Sequence, residues 1–245
     1  MTRARAFAGL GVLALLVVYD SIHEHLWDAS LWWDVAWLSL VLIPAVFALV
    51  WFVLPIRTLR GLLPVGVVLA AVSYGLDRAG VDIVANFGKL AAMTVLAFWF
   101  LTYFENVYWV TIVALIVPVV DAYSVWRGPT NHIVKKQEKV FETLSIAFPI
   151  PGEKNSANLG LPDLLFFALF LAAAHRFGLR VNWTWLALTA SFGTTMALAV
   201  WRDPFGIGGL PALPLLSIGF LVANGDLIWR RFRDRPRGLA AEPES

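Results

Sequence analysis

Two carboxylates sit where the surrounding residues leave little reason for charge. Asp121 closes the apolar run "VTIVALIVPVVDAYSVW", residues 110–126, and Asp163 stands at the mouth of a second run, "NLGLPDLLFFALF", residues 158–170. A carboxylate carried into a bilayer costs several kcal/mol unless it faces water, meets a partner or takes up a proton, so both are candidates for chemistry. When two carboxyls approach to about 3 Å they cannot both ionise comfortably, and the pair shares one proton. One member then serves as base, activating water toward a carbonyl, while the other protonates the oxygen. The sequence assigns the shared proton to neither acid.

The elements that carry these acids follow from composition. The chain is 59% hydrophobic and 15% charged, with mean hydropathy +0.72, whereas soluble domains carry about 25% charged residues. An all-α polytopic membrane protein is predicted. Crossing an apolar layer of about 30 Å takes roughly 20 residues, and eight runs qualify: 6–22, 32–55, 61–77, 83–104, 107–126, 161–177, 181–201 and 209–229. A ninth span is open at the amino terminus. Residues 1–106 form an amino-terminal helical scaffold, 107–229 hold the two acids and the 127–160 loop, and 230–245 are a basic then acidic tail. With the amino terminus inside, 11 of the 19 Lys and Arg residues fall on the cytoplasmic side, among them the arginines of "WRRFRDRPR". The carboxy terminus is then cytoplasmic and a prokaryotic plasma membrane is the expected location. Five cations of the 127–160 loop (Arg127, Lys135, Lys136, Lys139 and Lys154) lie on the opposite side and oppose that orientation. The acids' relative placement is independent of it. Asp121 near the end of one helix and Asp163 in the first turn of the next face the same boundary, and two further spans return "GIGGLPALPLL", residues 206–216, to it.

Three stretches, "VVDAYSVWRGPTNHIV", "LGLPDLLFF" and "LPALP", resemble the YD, GxGD and PAL signatures of the presenilin and signal peptide peptidase family of intramembrane aspartyl proteases. The resemblance covers about residues 107–229. It implies a presenilin-like helix bundle and an endopeptidase cutting in or near transmembrane segments, with Asp121 and Asp163 as the catalytic pair. Gly160, Leu161, Pro162, Pro211, Ala212 and Leu213 would shape the site. It implies no metal and no cofactor. Two positions depart from the pattern: Val120 stands where the family has tyrosine, and Pro162 replaces the second glycine of GxGD. Proline is accepted in a helix's first turn, where its missing N–H needs no partner.

The 127–160 loop contains "LSIAFPI", residues 144–150, in which Leu144, Ile146, Phe148 and Ile150 alternate with the period of a strand. Pro149 confines such a strand to an edge or a break. An unwound transmembrane substrate has peptide groups to satisfy, and pairing along this strand through Leu144, Ile146 and Phe148 is the expected mode. The expected partners are transmembrane proteins or peptides and membrane lipids, with no nucleic acid; the residues are silent on oligomeric state. Other polar residues have plainer readings. "HEH", residues 23–25, with Asp28 lacks metal-ligand spacing, and His132 has no serine or cysteine partner. Asn86 and Lys89 share a helix face, and Asp226 is expected to meet the tail arginines. Three alternatives stay open: a prepilin-peptidase-like protease, a catalytically silent homologue that binds transmembrane helices, and a proton-coupled transporter. With no cysteine, phosphate loop or HExxH, thiol, ATPase and zinc-protease chemistry are disfavoured.

Overall fold

A computed structural model describes residues 2–127, 143–201 and 211–234. His132, Lys135, Lys136, Lys139, the stretch 206–210 and the tail beyond 234 lie outside the described residues. The first helix, α1, is Arg3–Ile22. A second run is continuous from Leu31 to Thr58: α2 (Leu31–Trp37), a π-helical segment (Leu38–Leu42), α3 (Ile43–Val53) and a 3-10 turn (Leu54–Thr58). There follow α4 (Leu62–Arg78), α5 (Asp82–Phe100), α6 (Val107–Arg127), β1 (Ser145–Pro149), β2 (Ser156–Gly160), α7 (Leu161–Arg176), α8 (Val181–Trp201) and α9 (Leu213–Arg233). Counting the α2–α3 run as one, the described residues form eight helices and one small antiparallel sheet, and the eight runs expected from hydropathy each find a helix.

Five of the eight are long and apolar enough to cross a membrane: α1, the α2–α3 run, α5, α6 and α8. The other three fall short for separate reasons. With 17 and 16 residues, α4 and α7 are below the roughly 20 needed to span the apolar layer, and α9 carries Asp226, Arg230, Arg231 and Arg233. That last helix is displaced by four residues from the expected 209–229. Pro214 is tolerated only in a first turn, where its absent N–H breaks no ladder bond, so the helix begins at Leu213 and leaves Pro211 and Ala212 outside.

Helix α7 is the axis of the bundle. Every residue from Phe167 to Ala174 is fully buried, so the helix is apolar on all faces and lies inside the protein rather than at its surface. Phe167 stacks on Phe47 of α3 at 3.9 Å between ring centroids, and Phe170 on Phe220 of α9 at 4.9 Å. Helices α8 and α9 approach closely, with Ser191 Oγ donating to the Leu215 carbonyl at 2.9 Å. The buried Asn224 of α9 is satisfied by the Arg180 N–H at 3.0 Å, the Thr184 hydroxyl at 2.7 Å and the Phe220 carbonyl at 3.0 Å. Asp226 pairs with Arg180, through contacts of 2.8 and 2.7 Å, and among the described residues with none of the tail arginines expected to meet it. Arg180, which precedes α8, meets both Asp226 oxygens with two guanidinium nitrogens, a bidentate fork that occupies the carboxylate.

The β-hairpin matches the expected strand at Ser145–Pro149, but Leu144 is exposed; Ile146 and Phe148 turn into the core, and Ile150, half-buried just beyond the strand, packs against it. Its partner β2 pairs with Ser145 opposite Gly160 and Pro149 opposite Ser156. The turn between them docks on the α1–α2 connection, where the Gly152 N–H donates to the His23 carbonyl at 2.8 Å. Gly152 has φ +74°, and a Cβ there would lie 2.8 Å from the Trp27 carbonyl oxygen and 2.9 Å from the Asp28 Cα. Both obstacles are backbone, so neither can swing aside. Gly152→Ala is expected to destabilise the protein by about 1–3 kcal/mol, read as a lower melting temperature in detergent; an unchanged melting temperature would show that the hairpin tip is not held as described.

Candidate active site

Helices α7 and α9 begin at the end of the bundle where α6 finishes, and each start leaves backbone N–H groups without intrahelical acceptors. Those groups find the two acids. Gly160 is the N-cap of α7 and has no side chain with which to cap. Asp163, three residues on, reaches back to accept from the Gly160 N–H, the reciprocal half of a capping box. Pro162 occupies one of the first two helical positions and removes no ladder bond. A Cβ on Gly160 would stand 3.2 Å from Asp163 Oδ2, so the bare glycine is what lets the carboxylate fold back.

Asp121 performs a similar service across helices. Ala212, the N-cap of α9, offers no side-chain cap, and the first helical N–H, that of Leu213, donates to Asp121 Oδ2 at 3.3 Å. Helices α6 and α9 are tied again at their far ends, where the Tyr108 hydroxyl donates to the Arg231 carbonyl at 2.9 Å and its ring packs on Phe232 at 4.2 Å. This antiparallel pairing fixes the depth of Asp121. Pro118, one turn earlier, cannot donate to the Ala114 carbonyl and interrupts the helical ladder just before the acid. Asp121 lies within electrostatic reach of Asp163, and both are half-buried. The structure therefore brings Asp121, Asp163, Gly160, Leu161, Pro162 and Leu213 to one end of the bundle, with Pro211 and Ala212 leading into α9. Tyr123 is exposed. Among the described residues no group of His, Cys, Asp and Glu has the arrangement of a metal site.

The hairpin runs straight into this site, and its hydrogen-bond parity decides which edge is open. The Leu161 N–H donates to the Leu144 carbonyl at 2.9 Å and the Ile150 N–H to the Asn155 carbonyl at 3.4 Å. In an antiparallel ladder bonded pairs alternate, so Ile146 and Phe148 bond Leu159 and Ala157, while Ser145, Ala147 and Pro149 present their peptide groups outward. That outer edge of β1 is taken. Lys89 Nζ donates to the Ser145 carbonyl at 3.3 Å, Asn86 Oδ1 accepts from the Ala147 N–H at 3.2 Å, and the Tyr19 hydroxyl donates to the Pro149 carbonyl at 2.8 Å. Lys89 is itself held by Asp77 of α4 at 2.8 Å. The outward peptide groups of β2 belong to Ser156, Asn158 and Gly160; the last is engaged by Asp163, and Asn158 is exposed.

Sequence reasoning found both acids and β1 but not β2, nor the part played by Asn86, Lys89 and Tyr19. A signal for β2 exists in Pro151–Gly152, a turn dipeptide set between two short runs in which Ala157 and Leu159 alternate with polar residues. The anchors of β1 come from helices far away in sequence and carry no local signal. Lys89 is nearly buried and Asp77 partly exposed. Lys89→Met, which strands Asp77 and the Ser145 carbonyl, is expected to cost about 1–3 kcal/mol. Lys89→Met combined with Asp77→Leu should recover part of that loss in a denaturation series, and equal losses in the single and double variants would deny the coupling. No protein-family model matches this chain, and no curated protein is significantly similar to it.

Proposed function

We propose that this is a multi-pass intramembrane aspartyl endopeptidase of the presenilin-like kind, hydrolysing peptide bonds in or near transmembrane segments. Asp121 and Asp163 are the pair that shares a proton, one delivering a water to the scissile carbonyl and the other protonating its oxygen. The observation that carries this reading is the hydrogen bond from the Leu213 N–H to Asp121, which draws the Pro-Ala-Leu segment onto one acid while the other stands within electrostatic reach. All eight helices take part in the membrane-embedded bundle, the shorter α7 lying at its centre. Helix α6 packs along α9 and touches α7 sparingly, and its exposed face includes Ile112, Leu115, Ile116, Val119 and Val120. A substrate helix arriving through lipid meets that side first.

The substrate, once unwound, pairs with the outer edge of β2 and not with β1, whose outer groups are satisfied. Gly160 ends that edge three residues before Asp163, so an added strand brings its peptide groups beside the acid. A proton-coupled transporter would need polar residues continuing past the acids, and α7 is apolar and closed from Phe167 to Ala174. Pro162 favours one second reading, a silent homologue that binds transmembrane helices, because it takes a backbone donor away beside Asp163.

Reporter cleavage in liposomes, followed by intact-protein mass spectrometry, separates these readings. Fragments are expected from wild type and not from Asp121→Ala or Asp163→Ala. Gly160→Ala, whose methyl crowds Asp163 by a few tenths of an ångström, is expected to cut about tenfold more slowly, since misplacement of about 1 Å costs about 100-fold. Fragments surviving both aspartate substitutions would end the protease reading, and cleavage by Pro162→Gly alone would identify the silent homologue. The β2 edge has its own test: Asn158→Pro removes an outward backbone donor without touching the ladder, and Asn158→Ala, which loses only the Ser145 hydroxyl's contact with Asn158 Oδ1 at 3.4 Å, is its reference. Relative to Asn158→Ala, the proline variant should slow cleavage by about tenfold at the same melting temperature, and undiminished cleavage would remove the edge from the mechanism.

A further inference from the structure

At the opposite end of the bundle Arg5, Arg57, Arg176 and His175 gather, and among the described residues no carboxylate pairs with any of them. Four helix ends meet there: the start of α1 with Arg5, the 3-10 turn after α3 with Arg57, the end of α5 at Leu101, and the end of α7 with His175 and Arg176. Arg57 directs Nε and one terminal nitrogen at His175 Nδ1, at 3.1 and 2.9 Å. A guanidinium only donates, so Nδ1 is the acceptor, the imidazole is neutral and its proton sits on Nε2. His175 thus offers one more donor. Arg176 stands within electrostatic reach of Arg57, and Arg5 and Arg57 both lie within reach of His175.

What these guanidinium groups touch is neutral. Arg176 donates to the Leu101 carbonyl, and Arg5 donates to the Trp51 carbonyl while lying 4.3 Å from the Trp51 ring centroid. Arg5 Nε is buried and has no hydrogen-bond partner among the described residues. The ion pairs formed by those residues are Lys89–Asp77, Arg180–Asp226 and Arg233–Asp234, and none involves this cluster. Three like charges repel one another wherever solvent is partly excluded, and elsewhere the chain answers a guanidinium with a carboxylate, as at Arg180. Here it supplies only donors, several of them planar forks suited to an oxyanion with oxygens in more than one direction. Trp51, stacked against Arg5, is of the residue type enriched where an apolar layer meets lipid headgroups.

We propose that Arg5, Arg57 and Arg176, with the Nε2–H of His175, bind the phosphate group of an anionic ligand at the end of the bundle opposite the two aspartates. A phospholipid headgroup and free phosphate share this chemistry, and the test distinguishes them. The full-length chain in a neutral detergent is melted with phosphatidylglycerol, with phosphatidylcholine, or with inorganic phosphate against chloride at matched ionic strength. Phosphatidylglycerol is expected to raise the melting temperature by about 5 °C at saturation, and native mass spectrometry should retain it as a discrete adduct. A comparable rise with inorganic phosphate identifies the free anion as a ligand; a rise with phosphatidylglycerol alone identifies the headgroup. Arg57→Gln combined with Arg176→Gln should weaken binding about tenfold or more, whereas Arg233→Gln, whose partner is the adjacent Asp234, should not. No rise for wild type with either phosphate-bearing probe overturns the proposal without recourse to any variant. So does a rise of equal size in the double variant.

Discussion

A helix that starts within a packed apolar bundle brings with it N–H groups that its own ladder cannot use, and the site at the end of α6 is organised by that deficit. Gly160 and Ala212, the two N-caps, have no capping side chain. The acceptors come instead from Asp163, folding back within its own first turn, and from Asp121, reaching over from α6. Each bond is an ordinary helix cap, worth about 1 kcal/mol. Capping alone, however, is served as well by serine or asparagine, which would place no second charge nearby. Two carboxylates within reach of each other add a mutual electrostatic cost that a capping role does not require. That excess is what a shared proton would relieve, and it is the ground on which we propose acid–base chemistry for the pair.

The rest of the fold serves to hold these two caps at one depth. Helix α7 is fixed by stacked rings from α3 and α9 and is closed to lipid along its middle. Helix α6 is fixed along α9 by Tyr108 at one end and by Asp121 at the other. The hairpin passes directly into α7, so its position is also the position of Asp163. Lys89, Asn86 and Tyr19 grip it from two other helices, and Gly152 seats its turn on the α1–α2 connection. Polar side chains that would be costly in an apolar layer are thereby spent on one strand edge, and the other edge is the one we propose for added backbone.

Much of this was legible in the residues. Hydropathy located all eight helices because burial in lipid and burial in protein select the same side chains. For that reason it did not distinguish α7, enclosed by protein, from α8, which is long enough to cross. The period-two alternation of Ile146 and Phe148 announced β1, and Ile150 packs on the core as that alternation implies, whereas Leu144, in the turn before the strand, is exposed. The partner of Asp226 was missed because the neighbouring Arg180 is 46 positions away in sequence. The start of α9 was misplaced by four residues, although Pro214 alone carried enough information to set it.

Pro162 shows how far the local chemistry can be followed. Four N–H groups at the start of α7 lack intrahelical acceptors, those of residues 160 to 163. Gly160 gives its donor to Asp163 and Leu161 gives its donor to the Leu144 carbonyl; Pro162 has none, which leaves only the N–H of Asp163 itself. An oxyanion held by a row of backbone donors, as in acyl-transferring serine enzymes, is therefore not built into this helix start. A carboxyl pair does not depend on such a row, because its protonated member supplies the donor to the carbonyl oxygen as the other draws the proton from water. For the proposed dyad the donor lost at Pro162 is not required, so the silent-homologue reading rests on that donor serving substrate backbone instead, while proline's fixed φ suits the first turn in which Asp163 folds back toward Gly160.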